Sequence, residues 1–169
     1  MRNLPFIIPN LELNFRISMI LIILLHLSTT KKGNMHLTID RINIYDFLLK
    51  HPQVLKELLK KEKKKELILQ ENEFNNVEEL FPNYSFQTKQ KEIKKILIIL
   101  SSFNYVSISI EKDIFFTITE EGINSITEVD AEFKKRADEL CILMKSLQSM
   151  STNQLHLKVQ NIIKGETNR

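Results

Sequence analysis

Glycine is scarce in this 169-residue chain: only Gly33, Gly122 and Gly165 occur. A Walker A loop or a dinucleotide-binding turn needs several glycines within one short turn, where backbone amides approach phosphate. No two glycines here are placed for either, so the chain is not itself a P-loop ATPase or a Rossmann enzyme. Cysteine is scarcer still. Cys141 stands alone, which excludes an intramolecular disulfide and fits a reducing cytosol. Nor does one sign of charge dominate. Lysine and arginine number 24 against 21 aspartates and glutamates, for a net charge of +3, and the two signs are interspersed. That balance does not describe an overwhelmingly basic nucleic-acid binder. Long hydrophobic runs are missing too. The apolar stretch Ile17–Leu27 is about half the ~20 residues that a membrane-spanning helix needs. Glu12 and Asn14 precede it and no small-residue cleavage pattern follows. A buried core helix, a cytoplasmic protein and no membrane partner are therefore expected.

Catalytic constellations are absent as well. His26, His36, His51 and His156 are scattered through separate segments, with no metal-ligand spacing and no Cys–His pairing. Ser101-Ser102 lacks a nucleophile elbow. Glu120-Glu121 sits beside a helix start, where the helix dipole accounts for it without acid–base chemistry. Nothing reads as an active site or as a catalytic or metal-binding set, and no cofactor is expected in this chain. The expected role is to hold other macromolecules together.

What is present is organised around residues 103–126, where apolar residues alternate with serine and threonine at the period of two half-buried strands. With Glu111-Lys112-Asp113 as the loop, Ile110 faces Ile114, Ile108 faces Phe116 and Val106 faces Ile118. All three pairs are then apolar and share one face, and a slip of one residue would send one strand's apolar set to solvent. Thr119-Glu120-Glu121-Gly122 then suits a helix N-terminus. A helix, a hairpin and a second helix start form the order found in winged-helix domains. The fold class expected is mainly α with a β-hairpin (α+β): a winged-helix-like domain over 11–126, an extended arm over 1–10 that carries Pro5 and Pro9, and a C-terminal helical extension over 127–169.

Within that frame Leu11–Ser28 reads as one helix whose Met19–Leu25 is apolar all round, more than one domain core commonly covers. Met19, Ile22 and Ile23 are therefore expected to meet a partner. His36–Ile39 suggests a short strand, and Asp40 caps a helix through Leu49. Pro52 opens a helix through Leu69, whose KKEKKKE end reads as a solvated charged surface. Glu71–Tyr84 reads as a loop with a helical turn around Val77–Leu80.

The helix Gln87–Phe103 occupies the recognition-helix slot, with Ile93, Ile96, Leu97 and Leu100 as its core stripe. Lys91, Lys94 and Lys95 fall on the opposite face and, with Lys112 at the hairpin tip, are the nucleic-acid-binding candidates. Ile98 shares their face and Ile99 sits at its border, which suits a protein-covered surface better than base reading. Gly122–Met150 reads as a long helix, capped again at Thr127. Phe133, Leu140 and Leu147 recur every seven residues along it, accompanied by Ala137 and Met144; Phe133, Leu140, Met144 and Leu147 make a partner-facing stripe. After a break at Ser149–Asn153, Leu155–Lys164 forms a final helix.

The combination LNFRISMILIILLHL, DRINIYDFLLKHPQVL and KKILIILSSFNYVSISI…FFTITEEGINSI resembles the middle component of three-component ABC-type (ABC-3C) bacterial systems, the group that includes Lamassu-type antiphage defence. The resemblance covers about Leu11–Lys164. Its most telling parts are the apolar first helix and Tyr45-Asp46-Phe47-Leu48 with His51-Pro52. It implies a small winged-helix protein without catalysis of its own, a kleisin-like adaptor between an SMC-like ATPase and a nuclease-type effector. ATP and magnesium would belong to the ATPase, and DNA would be met through the complex. The alternative is a free-standing winged-helix transcription regulator that reads DNA with Gln87–Lys95 and Lys112.

Overall fold

The computed structural model describes residues 9–73, 90–126 and 129–165. Helix α1 (Pro9–Leu27) is followed by α2 (Ile39–Lys50) and α3 (Pro52–Lys61). Then come α4 (Gln90–Ser102), the strands β1 (Val106–Ile110) and β2 (Ile114–Ile118), α5 (Glu120–Ser125), α6 (Ala131–Met144) and α7 (Thr152–Ile163). The fold is mainly α with one antiparallel two-stranded hairpin among the described residues. The segments expected at residues 1–8, at 74–89 (the Val77–Leu80 turn and the start of the Gln87 helix) and at Thr127 lie outside the described residues.

Helix α1 is the axis of the core. Ile20, Ile22, Ile23, Leu24 and Leu27 have no exposed surface, and α2, α4, β2, α5 and α6 all pack against the helix. Its last carbonyl is satisfied from across the chain: Gln148 Nε2 donates to Leu27 O at 3.2 Å and to Thr29 O at 3.1 Å. Core residues come from both sides of residue 126, since Leu140, Met144, Leu147, Leu155 and Val159 belong to the same buried cluster as α1 and α2.

The hairpin has the register expected from the cross-strand pairs: Val106 opposite Ile118, Ile108 opposite Phe116, Ile110 opposite Ile114. Where a short strand was expected at His36–Ile39, a single backbone bond, Phe116 N–H to Leu37 O (2.9 Å), fastens β2 to the chain before α2. An isolated bridge joins Thr29 and Met35. Thr119 caps α5 by accepting from the Gly122 N–H at 3.1 Å.

Helix ends differ from expectation for local reasons. Thr38, not Asp40, caps α2, because its hydroxyl oxygen reaches the Arg41 N–H at 3.4 Å. Helix α3 stops at Lys61 rather than Leu69. Lys63 turns left-handed (φ 53°), so that the Lys64 N–H bonds Leu59 O and the Lys63 N–H bonds Lys60 O, a Schellman closure made without glycine. Asn104 (φ 58°) closes α4 the same way, with the Tyr105 N–H on Leu100 O. The stretch Gly122–Met150 is not one helix. Helix α5 ends at Ser125, and Asp130 opens α6 by accepting from the Phe133 N–H at 2.9 Å. Beyond α3 the chain runs without regular structure to Gln70 and is clamped onto α6 by Arg136. The guanidinium donates to both Glu73 carboxylate oxygens (2.8 and 2.7 Å) and to Ile68 O (3.0 Å).

Gly122 is where backbones come closest. A Cβ there would lie 2.3 Å from Tyr105 O and 2.8 Å from Ile118 Cγ1. Gly122→Ala must therefore push α5 off the hairpin, and we expect a loss of about 2–4 kcal/mol. Gly33→Ala, at a left-handed but open site (φ 81°), should cost about 1 kcal/mol. Urea denaturation of the two variants checks the ranking.

Candidate functional site

The expected partner residues separate into two groups. Met19, Ile22, Ile23, Leu140, Met144 and Leu147 are at most 3 % exposed. The structure brings them together, but inside the chain's own core: α6 folds back along α1 and each covers the other's stripe. In this fold they offer no surface to a partner, which corrects the reading of both stripes as partner-facing. Phe133 is half-buried and packs on Phe15 at a centroid distance of 4.6 Å. Apolar spacing shows that a stripe must be covered and is silent on which chain covers it.

The second group lies on α4. Ile93, Ile96, Leu97 and Leu100 are buried as expected. Lys91, Lys94, Lys95 and Ile98 are spaced i, i+3, i+4, i+7, share the opposite face and are exposed, Ile98 by 61 %. Ile99 is half-buried at the border. Lys112 is exposed at the hairpin tip.

One exposed surface was not foreseen. The apolar face of the hairpin is buried only at its base, through Val106 and Phe116. Toward the tip Ile108, Ile110 and Ile114 are exposed, Ile110 by 78 %. Tyr105 O accepts from the Thr119 N–H and Phe116 N–H points outward to Leu37. By the antiparallel alternation, the backbone groups of Ile108 and Ile110 therefore point away from β2. Alternation in the sequence identified this apolar face, but its cover depends on how far the helices behind it reach.

The segment 40–55 is mostly interior. Arg41 is buried, and its guanidinium donates to neutral oxygens: Tyr45 Oη (3.3 Å), Thr152 Oγ1 (3.2 Å), Leu147 O (3.3 Å) and Met150 O (2.7 Å). Because Nε donates to the Tyr45 oxygen, the Tyr45 hydroxyl is left to donate to His36 Nε2 at 3.2 Å. That geometry needs a neutral His36. Burial, and then the Arg41 charge, push its pKa down to about 4. Burial raises the Tyr45 phenol above its ordinary value.

Asp46, also buried, is held by Arg16 Nη1 on both oxygens (2.9 and 3.1 Å) and by Lys50 Nζ (2.9 Å). Glu92 on α4 lies 3.9 Å from Arg16 Nη2 and completes a row of alternating charge. His51 Nδ1 donates to Phe47 O (2.8 Å) and its ring stacks on Phe47 at 4.1 Å. His26 Nε2 meets Asp138 Oδ1 at 2.7 Å, tying α1 to α6. Burial works against ionisation of Asp138, but the Lys134 and His26 hydrogen bonds outweigh it and hold the carboxyl below its ordinary value. Cys141 is buried, which raises its thiol pKa. Among the described residues no group of three His, Cys, Asp or Glu side chains is placed to hold a metal ion, and no helix is long and apolar enough to cross a membrane.

A family model described as ABC-three component (ABC-3C) system middle component 4 matches residues 27–157. The chain belongs to this family. No curated protein and no solved structure matches it. The match takes in Tyr45-Asp46-Phe47-Leu48 and His51-Pro52 but begins after most of α1. In this middle component, then, the segment 45–52 builds the interior, while α4 and the hairpin carry exposed residues, and Ile68, Ile142 and Leu157 are exposed as well. As one component of a three-component system it works with partner subunits.

Two outcomes test this interior chemistry. His36 binds protons more weakly in the fold than its ordinary 6.5, so the unfolded chain takes up more protons between about pH 6.5 and 4 and stability must fall as pH falls through that window. His36→Gln, which keeps an acceptor for Tyr45, should flatten that part of the Tm–pH curve relative to the parent. Asp46→Ala leaves Arg16 and Lys50 without their shared carboxylate and should cost about 3 kcal/mol or more by urea denaturation.

Proposed function

We propose that this middle component is a non-catalytic, kleisin-like adaptor that bridges an SMC-like ATPase to a nuclease-type effector in an antiphage defence complex. The observation that carries the reading is the family match over 27–157, which makes the chain one part of an assembly. The exposed Ile98 supports a protein-facing role for α4. The order α4, hairpin, Thr119-capped α5, with Leu37 fastened to β2, supports a winged-helix-like arrangement of that part of the chain. In this reading ATP and magnesium are bound by the ATPase, and foreign DNA is met by the assembled complex.

A free-standing DNA-binding regulator is the second reading, favoured by the exposed Lys91, Lys94 and Lys95. It predicts a homodimer whose DNA affinity falls steeply with salt. A tagged pull-down from the native host, with co-purifying proteins identified by mass spectrometry, separates the two. The adaptor reading expects an ATPase and an effector in near-stoichiometric amounts. Recovery of the chain alone as a salt-sensitive DNA-bound dimer would favour the regulator. In the adaptor reading Ile98→Glu combined with Ile99→Glu should abolish ATPase recovery while thermal unfolding stays cooperative.

A further inference from the structure

The lysines and the isoleucine of α4 were assigned to different ligands from the sequence, yet they form one stripe. Lys91, Lys94, Lys95 and Ile98 occupy i, i+3, i+4 and i+7 of one exposed face, spanning about 10 Å, or two helical turns. Arg16, Lys50, Lys134, Arg136 and Lys158 each form a salt bridge, whereas none of the three α4 lysines does so among the described residues. The other basic run, residues 60–65, crosses the end of α3 into a segment without regular structure and so lacks a regular helical face of this kind.

Charge alone would suit phosphates or carboxylates equally. The rest of the stripe decides between them. One turn beyond Lys94 and Lys95 a base-reading helix would present free polar groups. Here that position is Ile98, and the next along the same face, Ser102, already gives its hydroxyl proton to Ile99 O at 2.7 Å.

We infer that this stripe docks an acidic amphipathic helix of a partner subunit, with carboxylates opposite Lys91, Lys94 and Lys95 and an apolar side chain on Ile98 one turn away. The inference rests on the adaptor reading and names the chemistry of its contact. Complementary charge sets register and speeds encounter, and the desolvated isoleucine holds the complex against dissociation.

The test uses the full chain co-expressed with the proteins encoded by its neighbouring reading frames and recovered through a tag. The variants are Lys91→Glu/Lys94→Glu/Lys95→Glu and, separately, Ile98→Ser, each checked for an unchanged thermal melt. We expect the charge reversal to lower the retained partner by about tenfold or more at low salt, and Ile98→Ser to lower it several-fold at low and high salt alike. Partner retention unchanged by either variant would overturn the stripe as a dock while leaving the adaptor reading intact. No partner retained by the parent chain would overturn both. A random-sequence DNA duplex is the control probe. Binding that is lost on charge reversal but kept in Ile98→Ser, with partner retention unaffected, would overturn the inference in favour of nucleic acid.

Discussion

A helix that is apolar on every side has no face to give to solvent, and α1 is such a helix from Met19 to Leu24. Each of these side chains contributes about 2 kcal/mol only when water is excluded from it, so the chain must enclose the helix from several directions. Helix α2, α4, β2, α5 and α6 supply that enclosure. Much else follows from it. Helix α6 must run back along α1, its stripe of Ala137, Leu140, Met144 and Leu147 is consumed there, and Gln148 reaches the C-terminal end of α1 to satisfy Leu27 O.

Burying α1 also buries polar groups of its neighbours, and these are matched within the chain. Arg41 carries its charge into the interior and meets the carbonyls of Leu147 and Met150, at the end of the turn that follows α6, so partial negative charge from the backbone takes the place of a carboxylate. Asp46 is flanked by Arg16 and Lys50. The two networks fix α2 against α1 on one side and against the α6–α7 connection on the other. Buried networks of this kind favour one packing, even though Arg16 Nη2 makes no hydrogen bond and lies 3.9 Å from Glu92. The segment 40–55 thus maintains the interior, and the outward faces of α4 and the hairpin stay exposed.

How much of this was legible in the sequence varied with the kind of signal. The hairpin register was legible because period-2 alternation leaves one pairing that keeps three apolar pairs on a face. The Thr119 helix start was legible from residue chemistry, whereas Ser151 caps the last helix at Thr152, three residues before the start expected at Leu155. The end of α3 was not, since Lys63 adopts a left-handed conformation that composition does not advertise. The split between α5 and α6 was only half legible, since a second cap was expected at Thr127 whereas Asp130 is the residue that opens α6. The heptad from Phe133 to Leu147 announced a covered stripe, but α1, more than a hundred residues earlier in the chain, is what covers it. Ile98 could be placed on the outward face from its distance to Ile93, Ile96, Leu97 and Leu100. The exposed Ile108, Ile110 and Ile114 could not be, because alternation gives a face and not its depth.

If the core is complete within one chain, partners meet only its outer faces. Hydrogen exchange read by mass spectrometry, on the chain alone and on the chain bound to its co-expressed partner subunits, tests it most directly. The α1 and α2 amides should be strongly protected in the isolated chain and gain nothing on assembly, with new protection concentrated on α4 and the hairpin. Rapid exchange across α1 in the isolated chain, suppressed only in the complex, would contradict it and return Met19, Ile22 and Ile23 to an interface.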